Sequence, residues 1–352
     1  MALIPTTILT GFLGAGKTTL LNRILREQHG ARIAVIENEF GQENIDNEIL
    51  VQDSSEQIVE MNNGCICCTV RGDLIKALSA LAHKRNAGEL AFDRVIIETT
   101  GLANPGPVAQ TFFMDEEVAL HYLLDAVITV VDARHAMQQL DQHEEAQRQV
   151  GFADRILLSK TDLVDADEIS RLTARLKRVN PRAPVVRTDF GQAPITEVLD
   201  IRGFNLNEKL EIDPDFLAEQ DARHAHEHHD CDADCGHEHH DHEGHAHAGG
   251  HGHTDDIKAF VFRSEKPFDS ARLDEFLSGL VQVYGPRMLR YKGVLLMQGA
   301  DRKVIFQGVH QMMGTDIGGK WADGEIRASK MVFIGKNLPE STFIHGLEQC
   351  LV

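Results

Sequence analysis

The run Gly11-Phe-Leu-Gly-Ala-Gly16-Lys17-Thr18 constrains this chain more than any other, because it matches G-x-x-x-x-G-K-[ST] in full. Glycines let backbone N–H groups converge on phosphate oxygens without a Cβ in the way. Lys17 reaches the outer phosphates as a point charge, and the Thr18 hydroxyl is a Mg²⁺ ligand. The run lies between a strand-like stretch holding Ile4, Ile8 and Leu9 and a helix-like stretch, Thr19-Leu-Leu-Asn-Arg-Ile-Leu. That placement is what the loop requires, since a helix starting near Gly16 adds its positive end to the phosphate site.

Continuous β-branched runs are expected as strands at 3–9, 32–36, 94–98, 126–131, 155–158 and 185–187, with helical periodicity at 17–28, 74–83, 108–113 and 167–179. Unbroken rather than alternating apolar strands, each followed by a helix, predict a doubly wound, mostly parallel α/β domain covered on both faces. Beyond residue 254 come a strand at 258–263, a helix at 271–280 and strands at 293–297, 303–307 and 330–334. These predict a small α+β domain, with a ferredoxin-like arrangement as the candidate. The expected division is 1–205 for the loop-bearing domain, 206–254 for a linker, and 255–352 for the second domain.

Two further stretches suit a nucleotide switch. Arg94-Val-Ile-Ile-Glu98-Thr-Thr-Gly101 is a buried strand ending in a carboxylate, placed to hold Mg²⁺ through a water, with the Gly101 N–H within reach of a γ-phosphate. Arg155-Ile-Leu-Leu-Ser159-Lys160-Thr161-Asp162 ends a strand in Lys-x-Asp. A carboxylate at Asp162 accepts from guanine N1–H and the exocyclic amine together, a pair adenine lacks, while the Lys160 stem covers the base. Guanine loops usually carry Asn where this chain has Ser159, which leaves one base contact open.

Asn63-Gly-Cys65-Ile-Cys67-Cys68 places three thiols within four residues. Thiols so close do not readily pair with one another, and as thiolates they form a soft-ligand site suited to Zn²⁺ or Cu(I). Zinc takes four ligands, so one position is left for a neighbour such as the acidic stretch Glu37-Asn-Glu-Phe-Gly41. An open site of this kind fits an exchangeable ion rather than a structural one.

Of 19 histidines, 12 fall between His224 and His253, together with seven acidic residues, Cys231 and Cys235, and no Lys or Arg. Such a segment buries no apolar area and reads as a disordered metal-binding arm at 224–253. Its auxiliary metal candidates are His224, His226, His228, His229, Cys231, Cys235, His237, His239 and His240. The absence of H-E-x-x-H and the five glycines from Gly236 to Gly252 argue against a helical metalloprotease site there.

A net charge of −19 argues against a general nucleic-acid or anionic-membrane binder. The N-terminal residues lack the basic start of a signal peptide, and six cysteines in 352 residues do not make a disulfide framework. The expected setting is the cytoplasm, with reduced thiols.

Taken in order, Thr10-Gly-Phe-Leu-Gly-Ala-Gly-Lys-Thr-Thr19, Glu37-Asn-Glu-Phe-Gly41, Asn63-Gly-Cys-Ile-Cys-Cys68, Glu98-Thr-Thr-Gly101 and Ser159-Lys-Thr-Asp162 resemble the CobW-type GTPases, the metallochaperone branch of the SIMIBI class of P-loop proteins. Arg290-Tyr-Lys-Gly293 and Phe306-Gln-Gly-Val309 resemble that family's second domain, and the YjiA subgroup is the best match within it. The resemblance implies a slow GTPase that binds zinc and uses its nucleotide state to control transfer to a client zinc metalloprotein. It implies nucleotide contacts at Gly11, Gly14, Ala15, Gly16, Lys17, Thr18, Thr19, Lys160 and Asp162, Mg²⁺ at Thr18 and Glu98, and catalytic roles for Lys17 and Glu98. It also implies zinc at Cys65, Cys67 and Cys68, with Glu37 as a partner. Expected partners are GTP, GDP and the client, with a second copy of the chain left open. A zinc buffer with incidental hydrolysis and a cobalt or nickel insertion GTPase stand as alternatives.

Overall fold

The structure is a computed structural model that describes residues 3–27, 30–37, 70–204, 212, 216–218, 220, 255–322 and 324–352. The three cysteines Cys65, Cys67 and Cys68, the acidic stretch beyond Glu37 and the arm 224–253 lie outside the described residues.

The first domain alternates strand and helix as its apolar runs dictate. Its strands are β1 (Ile4–Gly11), β2 (Ile33–Glu37), β3 (Arg94–Glu98), β4 (Tyr122–Asp132), β5 (Arg155–Ser159) and β6 (Val185–Arg187). Around them lie α1 (Lys17–Arg26), α2 (Val70–Asn86), α3 (Pro105–Met114), α4 (Glu116–His121), α5 (Ala136–Gln142), α6 (Glu144–Phe152) and α7 (Ala166–Val179). The sheet runs β2-β3-β1-β4-β5-β6, every pair parallel. Apolar clusters form on both of its faces, one around Ile8, Val127 and Leu158 and the other around Leu9, Ile128 and Leu157. That two-sided burial is why the strands read as unbroken apolar runs.

All six expected strands are present. β4 begins at Tyr122, ahead of the expected 126: Asp125 breaks the apolar run in the sequence, but it is buried within the strand, where its carboxylate accepts from the Arg202 N–H at 2.8 Å. The helices α4, α5 and α6 were not anticipated. α4 is a short turn capped by the Asp115 carboxylate, and α6 owes its place to packing rather than to a clean apolar period.

In the second domain, β7 (Ile257–Ser264), α8 (Ser270–Tyr284), β8 (Met288–Leu295), β9 (Arg302–Val309), β10 (Met312–Lys320), β11 (Ser329–Lys336) and α9 (Glu340–Gln349) build an antiparallel sheet ordered β10-β9-β8-β11-β7. β11 lies between β7 and β8, antiparallel to both, so β7-α8-β8 is a split βαβ unit of the kind a ferredoxin-like domain contains. The difference lies at the edges. Among the described residues β7 has no outer neighbour, and β9 with β10 extends the opposite side.

The strands bury alternate side chains on opposite faces. Phe260, Phe262, Met331 and Phe333 pack with Leu273 and Leu277 of α8 and with Phe343 and Leu347 of α9. Ile257, Ala259, Val261, Val332 and Ile334 instead join the first domain's core. Polar anchors fix this docking. Arg290 donates to Asp154 at 2.9 and 3.0 Å and to the Gly203 carbonyl at 3.0 Å, and its guanidinium lies 3.6 Å from the centre of the Phe204 ring. Arg175 on α7 binds Asp255 just ahead of β7. No helix among the described residues is long and apolar enough to cross a membrane.

Candidate functional site

Parallel strands point their carboxyl ends to one edge, and each strand of the first sheet delivers polar chemistry there. In spatial order, β2 ends in Glu37, β3 in Glu98, β1 in the glycine loop, β4 in Asp132 and β5 in Ser159, and β6 is followed by Asp189. Residues far apart in sequence thus form a single row.

At the centre of the row, Gly14 and Gly16 take left-handed φ values of 72° and 99°, a conformation open to glycine without strain, as the loop turns into α1. Lys17 is buried, and its Nζ donates to the Gly11 carbonyl at 3.0 Å and the Phe12 carbonyl at 3.4 Å, so the ammonium sits over the loop. The Thr18 hydroxyl donates to Glu98 Oε1 at 3.0 Å. Glu98 itself is buried. A hydroxyl and a buried carboxylate in contact at the mouth of a phosphate loop are hard oxygen donors of the type Mg²⁺ takes, so these residues fit that ion.

Beyond Glu98 the chain crosses the loop closely. A Cβ on Gly101 would stand 2.7 Å from the Leu13 amide nitrogen and 2.8 Å from its Cα, so any side chain there would push the segment off the phosphate loop. Gln149 on α6, fully buried, donates to the Gly101 and Ala103 carbonyls at 3.1 and 3.0 Å and fixes the far side of the segment.

On the other side of the loop, Lys160 adopts a left-handed φ of 56° and stretches its side chain across the site, donating to the Gly14 carbonyl and to Asp132 Oδ2, both at 2.8 Å. Burial alone would raise the Asp132 carboxyl. Hydrogen bonds from Lys160 and His135 outweigh it and hold the group below the usual carboxylate range. The hydroxyl of Ser159 lies 2.7 Å from the Ala15 carbonyl, tying β5 to the phosphate loop. Asp162 is exposed at the start of the next turn, free of steric cover. Asp189 clamps that turn, accepting from the Thr161 N–H and Oγ1, both at 2.7 Å.

The structure therefore brings Gly11, Gly14, Ala15, Gly16, Lys17, Thr18, Thr19, Glu98, Lys160, Asp162 and Glu37 to one edge. Sequence reasoning missed Asp132, Gln149 and Asp189. Asp132 carries the same signal that identified Glu98, a carboxylate closing an apolar strand, whereas Gln149 and Asp189 act through contacts with no local pattern. Among the described residues no group of three or more His, Cys, Asp and Glu side chains is arranged to hold a metal ion.

A six-stranded parallel sheet with this loop at its edge defines a P-loop nucleotide-binding protein. Residues 5–187 match the CobW/HypB/UreG nucleotide-binding domain, and residues 257–351 match the cobalamin synthesis protein cobW C-terminal domain. The chain belongs to the CobW family. It is 41% identical to the zinc chaperone YjiA of Escherichia coli K12 over 338 residues, spanning 96% of this chain and 95% of the relative. It is 35% identical over 384 residues to the zinc chaperone CobW of Pseudomonas aeruginosa, spanning 100% of this chain and 92% of that protein. Among solved structures, the Zn(II)-bound YjiA GTPase from E. coli superposes with a TM-score of 0.76 at 35% identity, covering 100% of both chains.

Proposed function

We propose that this protein is a GTP-hydrolysing zinc metallochaperone of the cytoplasm, whose nucleotide state controls delivery of zinc to a client metalloprotein. The observation that carries the reading is the pairing of Glu37 with Glu98 across β2 and β3, beside the Thr18–Glu98 hydrogen bond. It puts the one described candidate zinc ligand on the strand next to the candidate Mg²⁺ carboxylate. Relatives named as zinc chaperones, and a Zn(II)-bound GTPase of the same fold, support the choice of metal and nucleotide.

In this reading Lys17 and the amides from Gly14 to Thr19 bind the phosphates, and Asp162 reads the guanine edge while the Lys160 stem lies along the base. Thr18 and Glu98 would hold Mg²⁺, which supplies charge neutralisation at the transferred phosphoryl group. The Gly101 segment, pressed on the loop at Leu13 and held by Gln149, senses the γ-phosphate. Cys65, Cys67 and Cys68 with Glu37 hold the zinc, and the arm 224–253 gathers it. Residues 1–205 make the GTPase domain, 206–254 the linker and 255–352 the second domain.

The test is the zinc dissociation constant of the chain lacking 224–253, measured by chelator competition with a non-hydrolysable GTP analogue and Mg²⁺, and again with GDP. A difference of about tenfold or more, equivalent to about 1.4 kcal/mol of coupling, supports nucleotide control. Equal affinities would reduce the protein to a zinc buffer with incidental hydrolysis.

A further inference from the structure

The row of strand ends does not stop at the base-reading turn. Among the described residues β6 is the outermost strand on that side, and the residues after it form a short turn, Asp189–Gly191. Each flank of this turn is attached to a different part of the nucleotide edge. Asp189 holds Thr161, which stands between Lys160 and Asp162. Gly191 lies against α1, close enough that a Cβ there would be 3.1 Å from the Thr19 carbonyl oxygen and 3.2 Å from Leu20 Cα.

Between these two attachments stands Phe190. Its backbone is left-handed, at φ 54° and ψ 31°, an uncommon conformation for a bulky side chain. The residue is 74% exposed, more than any other Phe, Tyr or Trp among the described residues. Core packing therefore explains neither the conformation nor the side chain. Thr19 follows the phosphate loop and Thr161 precedes Asp162, so the turn that carries Phe190 is anchored at both of the segments a nucleoside bridging the loop and Asp162 would adjoin.

We propose that Phe190 is the aromatic wall of the nucleotide site, stacking on the face of the purine base opposite the Lys160 stem. This rests on the placement of the base at Lys160 and Asp162 proposed above. A base bound at Asp162 is read along its edge, which leaves both ring faces to be covered. Lys160 is fixed to Gly14 and Asp132 and offers an aliphatic stem to one side only. Base–aromatic stacking is strong and indifferent to edge groups, so Phe190 adds affinity without choosing between purines, and Asp162 supplies the choice. The turn that carries Phe190 is clamped by Asp189 before any ligand arrives, so little ordering is left for binding.

The experiment is calorimetric titration of the full chain with GDP, inosine diphosphate and pyrophosphate, each with Mg²⁺, for the parent, F190A, F190W and D162A. The expected result is that F190A weakens GDP and inosine diphosphate equally, by about tenfold or more, and leaves pyrophosphate within about twofold. F190W should restore both nucleotides to within about threefold. An F190A chain with unchanged GDP affinity overturns the inference, and so does one that loses pyrophosphate to the same degree as GDP. D162A tests the underlying base placement separately: it should erase the preference for GDP over inosine diphosphate. If that preference survives, Asp162 is not the base reader, while the F190A titrations still decide the role of Phe190.

Discussion

Glu37 and Glu98 are register partners at the carboxyl ends of the parallel strands β2 and β3. Neighbouring strands lie about 4.8 Å apart, so a carboxylate proposed for zinc and one proposed for Mg²⁺ share a short stretch of backbone. Their roles should nevertheless separate. Glu98→Gln keeps the shape but removes the charge beside Thr18, and GTP turnover should fall by about a hundredfold or more while zinc affinity in the GDP state holds. Glu37→Gln should do the reverse, weakening zinc and sparing turnover measured without zinc. Phosphate release and chelator competition on the two variants check this, and loss of both activities in both variants would argue against two distinct sites.

Ser159 shows how a departure from a familiar motif can be accommodated. Its hydroxyl reaches the Ala15 carbonyl at 2.7 Å and so fastens β5 to the phosphate loop. Ser159→Ala leaves a buried carbonyl short of a donor, an effect of about 1 kcal/mol, and should weaken GDP binding several-fold. Ser159→Asn offers donors of its own and should retain at least parental affinity. GDP titration of the two variants checks the expectation, and an S159A chain with parental affinity would show that the tether is dispensable.

The second domain is held by Arg290, whose charge is wholly buried against Asp154. Removing one member of such a pair strands the other, at a typical cost of about 3–5 kcal/mol, whereas replacing both with apolar groups is often neutral. Arg290→Met alone should therefore sharply lower the denaturation midpoint, and Arg290→Met with Asp154→Leu should recover much of the loss. Asp154 also accepts from the Val127 amide at 2.9 Å, so recovery will be incomplete. Urea unfolding of the single and double variants measures the difference.

What the sequence disclosed follows the range of the interactions involved. The glycine loop, Glu98 and Lys160–Asp162 were legible because each is a short pattern closing an apolar strand, and the parallel sheet was legible because two-sided burial leaves unbroken runs such as Val95-Ile-Ile97. β10 was not, because Met312-Met-Gly-Thr-Asp-Ile-Gly-Gly-Lys320 is mostly exposed at a sheet edge and needs β9 to define it. Arg290 was recognised as part of a family motif but not as a domain anchor, since its partner Asp154 is 136 residues away. Cys65, Cys67, Cys68 and the arm 224–253 were prominent in the sequence yet fall outside the described residues.

His310 links acidity to domain docking. It sits at the β9–β10 turn with a left-handed φ of 51°, its ring 5.3 Å from that of Phe152 and close against Gly106 at the start of α3. Burial pushes its pKa below the ordinary value, with the charge of Arg148 acting in the same direction and backbone groups of Gly285, Pro286 and Met288 opposing it. The unfolded chain takes up a proton near the usual histidine value of about 6.5, while the folded chain resists until lower pH. Between those two points the unfolded state binds more protons, so the contribution of His310 to stability is full above about pH 6.5 and is lost as the pH falls toward the folded value. His310→Gln removes this titration and should flatten this part of the stability profile. Urea midpoints taken from pH 7.5 to 5 for the parent and variant test it. Parallel profiles for the two proteins would show that His310 does not titrate in that range.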